Sequence, residues 1–373
     1  MTLRLTLNGR QVAPACFDEN DAAAFSPYER HTLHFCQQWL AGQQSFVVPT
    51  SGSTGEPKAI TLERELMCAS ARMTGRALGL RVGDTALVCL STEHVAGLMM
   101  LVRGFELGLV LTVVTPSRNP LAVYGEDTRF DFAAFVPLQL QEILTATPAK
   151  KAILDRMRAI LIGGAPVDDS LLRQITTLEA PVYHTYGMTE TVSHIALRRL
   201  NGPQASDWFQ PLHGVEINLG PQDCLMVRSV LTAGRPLLTN DRIELRPDGS
   251  FRWLGRLDNV INSGGFKVQA EKVEKALEQL FWQYPSLAGR RVCVGPLPDL
   301  QWTQLVVAVI EGSPIVPTFE AELRVRLRQE WLHYYEVPRY FYYRPHLLET
   351  PTGKVDRRAN LAGLSVAPVA LSR

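Results

Sequence analysis

Between Phe46 and Gly187, short apolar runs alternate with spacers long enough to be helices. FVVPT, TALVCL, LVLTVV, FDFAAFVP, AILIGGA and APVYHTYG read as strands. Strands that alternate with helices pair in parallel, because each helix returns the chain to the same end of the sheet. The expectation is a large α/β domain with a mostly parallel sheet. Its strand ends, several of them Gly, Ser or Thr, should face a ligand crevice. FVVPT reads as a buried strand. Thr61 reads as a helix N-cap, with Glu63 and Glu65 in the first turn and the helix reaching Leu78. A second helix is expected from Glu93. The first forty residues show no clear pattern.

The character changes after Pro211. INLG, CLMVRSV, GRPLLTNDRIEL and GSFRWLG are short strand-like runs divided by turn signals such as PDG, which suggests a β-rich subdomain. Beyond GRLDN, KVQAEKVEKALEQL has the spacing of an amphipathic helix. RVCVGP and QLVVAVIEG read as strands, EAELRVRLRQEW as a second helix and YFYYR as an aromatic strand. The expected organisation is a large N-terminal domain over 1–257 and a small α+β domain over 258–373.

Composition narrows the function classes. Lys+Arg number 38 and Asp+Glu 37, a net charge of +1, so no basic surface covers the molecule and nucleic acid is not an expected partner. The most apolar stretch, Val95–Val114, is broken by Arg103 and Glu106. It therefore reads as a buried helix and strand, and membrane insertion is not expected. The N-terminus has Arg4 and no apolar run of export-signal length. The cysteines (Cys16, Cys36, Cys68, Cys89, Cys224, Cys293) form no C-x-x-C pair, and Cys68 and Cys89 read as reduced core residues. Reduced thiols fit a cytoplasmic location.

Three glycine-containing motifs carry chemistry. In TSGSTGEPK, Thr50, Ser51, Gly52, Ser53, Thr54 and Gly55 can turn backbone N–H groups and hydroxyls toward one anion, and Lys58 adds a full charge. The glycines stand too close for a Walker A loop, and Pro57 and Ala59 flank the lysine; the competing reading is a surface turn. YGMTE follows a strand. It offers Tyr186 to a base, Gly187 to a phosphate and Glu190 as a hard oxygen ligand for Mg²⁺. The competing reading has Thr189 and Glu190 capping a turn. PTGKVDR alone is a turn with an exposed Lys354.

Together, in this order, the three motifs resemble the adenylate-forming superfamily of acyl-CoA synthetases, nonribosomal adenylation domains and luciferases. The resemblance runs from the Thr50 loop to the C-terminus. It implies a truncated form of that fold: a large domain with a β-rich part, then a small mobile domain. It makes residues 50–58 the phosphate loop. Gly164 and Ala165 of IGGAP would line the adenine, and Tyr186–Glu190 would be the adenine and magnesium motif. Asp241 of TND would hold the ribose hydroxyls and Arg256 of GRLDN would contact the ribose. Asp258 would be the interdomain hinge. Gly264, Gly265 and Lys267 of NSGGFKV would flank the path of the CoA thiol. Lys354 would be the catalytic lysine, acting with Thr189 and Glu190. The sequence departs from the pattern at Asn240, Ala59, Ala270 and Lys272, although Glu274 remains. The region before the phosphate loop is short.

A short fold of this kind is similar to the o-succinylbenzoate–CoA ligases of menaquinone biosynthesis. STEHVAGL carries His94 before the acyl pocket, and YGMTETVSHIAL places Ser193 and His194 after the Thr-Glu pair. The implied substrates are a small carboxylic acid, ATP and CoA, with Mg²⁺. The implied reaction makes an acyl adenylate and pyrophosphate, then a thioester and AMP. Another acyl- or aryl-CoA synthetase, a stand-alone adenylation enzyme loading a carrier protein, and a nonenzymatic ATP-binding protein remain as alternatives. A homo-oligomer is left open.

Overall fold

The computed structural model describes residues 5–16, 24–49, 59–350 and 354–365. The phosphate-loop residues Thr50 to Lys58 and the stretch Pro351 to Gly353 lie outside the described residues. The chain forms two compact units. One comprises Met1–Asn218, Met226–Leu237 and Leu245–Arg252; the other comprises Leu219–Leu225, Leu238–Glu244 and Trp253–Arg373.

The first unit begins with β1 (Leu5–Leu7), β2 (Arg10–Val12), α1 (Pro27–Leu40), β3 (Ser45–Pro49), β4 (Ala59–Glu63) and α2 (Arg64–Leu78). It continues with β5 (Thr85–Val88), α3 (Val95–Leu107), β6 (Val110–Val113), β7 (Phe132–Phe135), α4 (Pro137–Ala146) and α5 (Lys151–Asp155). Then come β8 (Ala159–Ile162), α6 (Asp169–Ile175), β9 (Val182–Gly187), β10 (His194–Arg199) and β11 (Gln210–Pro211). A nine-stranded sheet runs β11-β10-β9-β8-β7-β5-β6-β1-β2. Its pairs from β9 across to β1 are parallel, while β10–β9, β10–β11 and β1–β2 are antiparallel.

The central strands β5, β7 and β8 are buried on both faces, and the period-2 alternation sorts their side chains into two cores. Ala86, Val88, Phe132, Ala134, Ala159 and Leu161 pack with Met67 and Ala71 of α2 and with Met99 and Val102 of α3. Leu87, Ala133, Phe135, Ile160 and Ile162 pack with Leu140 and Ile143 of α4, Ile153 and Leu154 of α5, and Leu171 and Ile175 of α6. Each buried side chain of this size contributes about 1.5–3 kcal/mol. Strand order reverses between β5 and β7, and the crevice beyond the carboxyl ends at such a point is where α/β sheets take ligands. The turn after β8 and the Tyr186 segment at the end of β9 stand at those ends.

Three local expectations are corrected. Thr61 is not an N-cap: it lies in β4, paired with Val47 of β3, so the extended backbone persists to Glu63. Glu63 then takes the N-cap position without a side-chain cap, and α2 ends on Gly79 in the left-handed region. FVVP is half-buried rather than buried, with Phe46 and Val48 inward and Val47 exposed; among the described residues β3 pairs only with β4, and Thr50 lies outside the described residues. The second predicted helix starts at Val95 rather than Glu93, with His94 as N-cap. The first forty residues are ordered where described. β1 adds to the main sheet beside β6, and α1 is capped by Ser26 and Glu29 in a reciprocal pair of side-chain-to-backbone bonds.

Next come β12 (Glu216–Leu219), β13 (Cys224–Arg228), β14 (Leu237–Leu245) and β15 (Phe251–Arg256), a four-stranded sheet in that order. The second unit continues with β16 (Val260–Ser263), β17 (Phe266–Gln269), α7 (Ala270–Phe281), β18 (Val292–Asp299), β19 (Thr303–Glu311), α8 (Pro317–Glu330), β20 (Tyr340–Arg344) and α9 (Arg357–Leu361). Its sheet runs β17-β16-β19-β18, with β20 parallel to β19. Val273, Ala276, Leu277 and Leu280 of α7 recur at helical spacing and pack with Leu323 and Leu327 of α8 on Val294, Val306 and Ile310.

Candidate active site

In the first unit, the turn after β8 carries Gly164 and Ala165. His184 of β9 donates through Nε2 to the Ala165 carbonyl at 3.3 Å, and the Thr185 hydroxyl donates to the Ile162 carbonyl at 3.2 Å. Burial, then the Arg198 charge, lower the His184 pKa to about 4, so the ring is neutral and braces the turn. Tyr186 meets Phe251 edge-on at 5.2 Å, and Phe251 stacks on Phe209. Gly187 has no substitute: a Cβ there would come within 2.4 Å of the Ser193 carbonyl, where β10 bulges against β9.

Beyond Gly187 the chain makes a tight turn over Thr189–Thr191. The buried Thr191 side chain closes it by accepting the Met188 N–H at 3.1 Å. Val192 is forced to φ +65°, a conformation that costs a β-branched residue about 1–3 kcal/mol and that collects at functional sites. The turn leaves Glu190 exposed, beside a cavity of about 260 Å³ lined also by Leu66, Leu231, Thr232 and Arg235. Among the described residues, no group of three or more His, Cys, Asp or Glu could cage a metal. A lone accessible carboxylate suits Mg²⁺, which takes few protein ligands and shares substrate oxygens.

Past the strained Val192, Ser193 and His194 meet a residue the sequence reading did not single out for binding. Arg103 of α3 is 3% exposed and donates to Ser193 Oγ at 2.7 Å. Its Nη2 lies 3.5 Å from His194 Nδ1, and its Nε has no partner. No ion pair among the described residues involves Arg103. Burial lowers its pKa to about 10, which leaves it charged at neutral pH. His194 is pushed well below the usual range by burial and by that neighbour, so it is neutral. Its Nε2 reaches Thr74 of α2 at 3.2 Å. The signal for Arg103 was in the sequence: a lone cation inside an apolar helix is expensive unless used. His94 does not join this group. It is exposed at the start of α3, nine residues or about 14 Å along the axis from Arg103.

The second unit gathers Asp241, Arg256 and Lys354. Asp241, on β14, accepts from Trp253 Nε1 at 3.1 Å, and its N–H is held by Thr239 Oγ1 at 3.1 Å. Arg256, at the end of β15, pairs with Asp258 at 2.8 Å. Lys354 is partly buried, not an exposed turn residue. Burial lowers its pKa, Arg256 lowers it further, and Asp241 opposes both. Thr350 fixes its backbone on both sides: the Thr350 N–H donates to the Lys354 carbonyl at 2.7 Å, and Thr350 Oγ1 accepts the Lys354 N–H at 3.2 Å. Three residues on, Arg357 forks onto the part-buried Glu274 at 2.5 and 3.1 Å. Gly264 and Gly265 form the exposed turn between β16 and β17. A Cβ on Gly264 would strike Trp302 at 2.6 Å, and its φ is +60°. Lys267 is exposed on β17.

The cysteines offer no nucleophile among those described. Burial raises Cys36 and Cys293 to about 12, half-buried Cys68 rises to about 11, and Cys89 rises as well. Chemistry at these sites therefore falls to charge and alignment.

A mostly parallel α/β sheet with a strained turn after β9, and an α+β unit bearing a partly buried lysine, is the architecture of an adenylate-forming enzyme. The chain belongs to the AMP-binding enzyme family, whose model matches residues 12–223. It is 31% identical to a probable 2-succinylbenzoate–CoA ligase of Mycobacterium tuberculosis, over 84% of this chain and 83% of that one. A solved acyl-CoA synthetase (AMP-forming)/AMP-acid ligase II-like protein of Dyadobacter fermentans is 41% identical, covering 90% of this chain and 94% of its own, with a TM-score of 0.60. The fold also matches o-succinylbenzoate CoA synthetase (MenE) of Bacillus subtilis, solved with the acyl-adenylate OSB-AMP. There the TM-score is 0.71 at 24% identity, over 86% and 69% of the two chains. No helix among the described residues is long and apolar enough to cross a membrane.

Proposed function

We propose that this chain is an AMP-forming acid–CoA ligase whose acid is 2-succinylbenzoate, and that it serves menaquinone biosynthesis in the cytoplasm. The observation that carries the substrate is Arg103: a buried guanidinium, held by a serine and a neutral imidazole, with no described carboxylate paired to it. One carboxylate of a dicarboxylic acid reacts; the other needs a cation, and Arg103 has no carboxylate partner among the described residues. The relatives named for 2-succinylbenzoate support the same acid.

A carboxylate attacks the α-phosphate of ATP poorly because both are anionic, so the protein must align them and supply positive charge. Lys354 and Lys58 supply it, with the loop N–H groups of residues 50–58. Mg²⁺, held by Glu190 and the nucleotide, would neutralise phosphate charge. Tyr186 and the Gly164–Ala165 turn take the adenine, and Asp241 and Arg256 take the ribose. The CoA thiol then attacks the acyl carbonyl along Gly264, Gly265 and Lys267, and AMP leaves. In this reading residues 258–373 move as one domain about Asp258, presenting Lys354 first and the glycine turn second.

The test incubates the protein with ATP, Mg²⁺, CoA and single acids, and follows pyrophosphate release and thioester mass. 2-Succinylbenzoyl-CoA should form far faster than thioesters of monocarboxylic acids. Equal rates with benzoate or a fatty acid would remove the substrate assignment. Adenylate without thioester would favour a carrier-protein loader.

A further inference from the structure

Arg103 is held by a neutral histidine, and a neutral histidine can be arranged in two ways. Only one of them suits this site. Arg103 Nη2 can donate but never accept, so the His194 nitrogen facing it must be bare. That nitrogen is Nδ1, 3.5 Å away, with the Ser193 hydroxyl at 3.4 Å as a second neighbour. The proton therefore sits on Nε2, and Nε2–H needs an acceptor inside the protein.

Thr74 provides it. Its hydroxyl proton is committed to the Ser70 carbonyl one turn earlier on α2, at 3.0 Å. Thr74 Oγ1 is thus left as an acceptor, 3.2 Å from His194 Nε2. A directed chain results: the Ser70 carbonyl takes the Thr74 proton, Thr74 Oγ1 takes the His194 proton, and His194 Nδ1 takes an Arg103 proton. Both Thr74 and Ser70 are fully buried, and the Ser70 hydroxyl has no partner. Arg103 Nε is likewise buried without a partner, so the guanidinium keeps an unused donor. That donor suits an acceptor-rich ligand such as a carboxylate.

We infer that Thr74 is a positioning residue: it fixes the proton of His194 on Nε2, so that Nδ1 holds Arg103 ready for the distal carboxylate of the acid. The role of Arg103 rests on the substrate reading above; the proton position on His194 does not.

The experiment has two arms. In the first, nitrogen NMR of histidine-labelled protein reads the tautomer, with His194→Gln identifying the signal among the eight histidines. The wild type should show a neutral ring protonated on Nε2, and Thr74→Val should lose that single form. In the second, Thr74→Val should raise KM for 2-succinylbenzoate by about tenfold or more. Its kcat, its KM for ATP and its use of the monoacid lacking the ring carboxylate should stay within about twofold, and Thr74→Ser should restore the KM. A wild-type ring protonated on Nδ1 overturns the proposal, whether or not Thr74→Val folds. So does an equal loss on diacid and monoacid. If the wild type shows no preference for the diacid, the substrate reading falls, while the nitrogen signal still decides Thr74's hold on His194.

Discussion

Replacing Arg103 by Met separates a ligand-binding cation from a structural one. Burial lowers the Arg103 pKa from 12.5 to about 10. At 1.36 kcal/mol per pKa unit, that is about 3 kcal/mol against the charged form in the folded chain. The sign follows: a cation with a depressed folded pKa destabilises the fold at every pH below that value, pH 7 included. Methionine fills a similar volume without the charge and relieves this cost. The loss is one donor to Ser193, one to His194 and a weak one to the Met100 sulfur. Ser193 can repair it by turning its hydroxyl to His194 Nδ1, already 3.4 Å away. The residual cost is about 1 kcal/mol. Arg103→Met should therefore melt at the wild-type temperature or a few degrees above it. Its activity should behave oppositely. One or two charge-assisted hydrogen bonds to the distal carboxylate, about 1.5–3 kcal/mol each, would vanish. Hence kcat/KM for 2-succinylbenzoate should fall by roughly 10- to 10⁴-fold, with little change for the matching monoacid. Thermal melting and pyrophosphate release on both acids decide it. A melting temperature lowered by roughly 10 °C or more, with equal losses on the two acids, would refute the reasoning.

Lys354→Ala should abolish adenylate formation, yet still convert supplied acyl-AMP and CoA to thioester; equal slowing of both half-reactions would remove the domain alternation. Because burial and Arg256 depress Lys354, adenylation should lose its protonated lysine below the ordinary pKa of 10.5 as pH rises. Arg256→Gln should move that alkaline limb of kcat/KM upward and Asp241→Asn downward, and shifts of the opposite sign would contradict the electrostatics. Glu274→Ala removes the forked partner of part-buried Arg357 and leaves Glu271, at 3.6 Å, as its one carboxylate among the described residues, so chemical denaturation should show a loss of about 1–3 kcal/mol. A loss under about 1 kcal/mol would mean the pair does not anchor the Lys354 segment.

Much of the fold was legible because each strand is short, apolar and followed by its own helix. The spans around β5, β6, β7, β8 and β9 follow from that pattern alone. β4 was hidden, because Ala59–Glu63 alternates weakly and reads equally well as a helix entry; its pairing with β3 decided the matter. β1 and α1 were hidden differently. Three residues are too few to show a period, although the Ser26–Glu29 capping pair could have announced the helix.

The site divides along the same line. Glycines, hydroxyls and lysines at fixed spacing along one loop can be read without coordinates, because their chemistry depends on neighbours in sequence. Asp241, Arg256 and Lys354 were singled out by the resemblance of their motifs to the adenylate-forming superfamily. Arg103, Thr74 and His194 come from α2, α3 and β10, up to 120 residues apart. No spacing in the chain encodes their meeting. The sequence by itself determined which groups can carry charge. Burial and long-range packing determined that Arg103 has no carboxylate partner among the described residues and that His194 stays neutral.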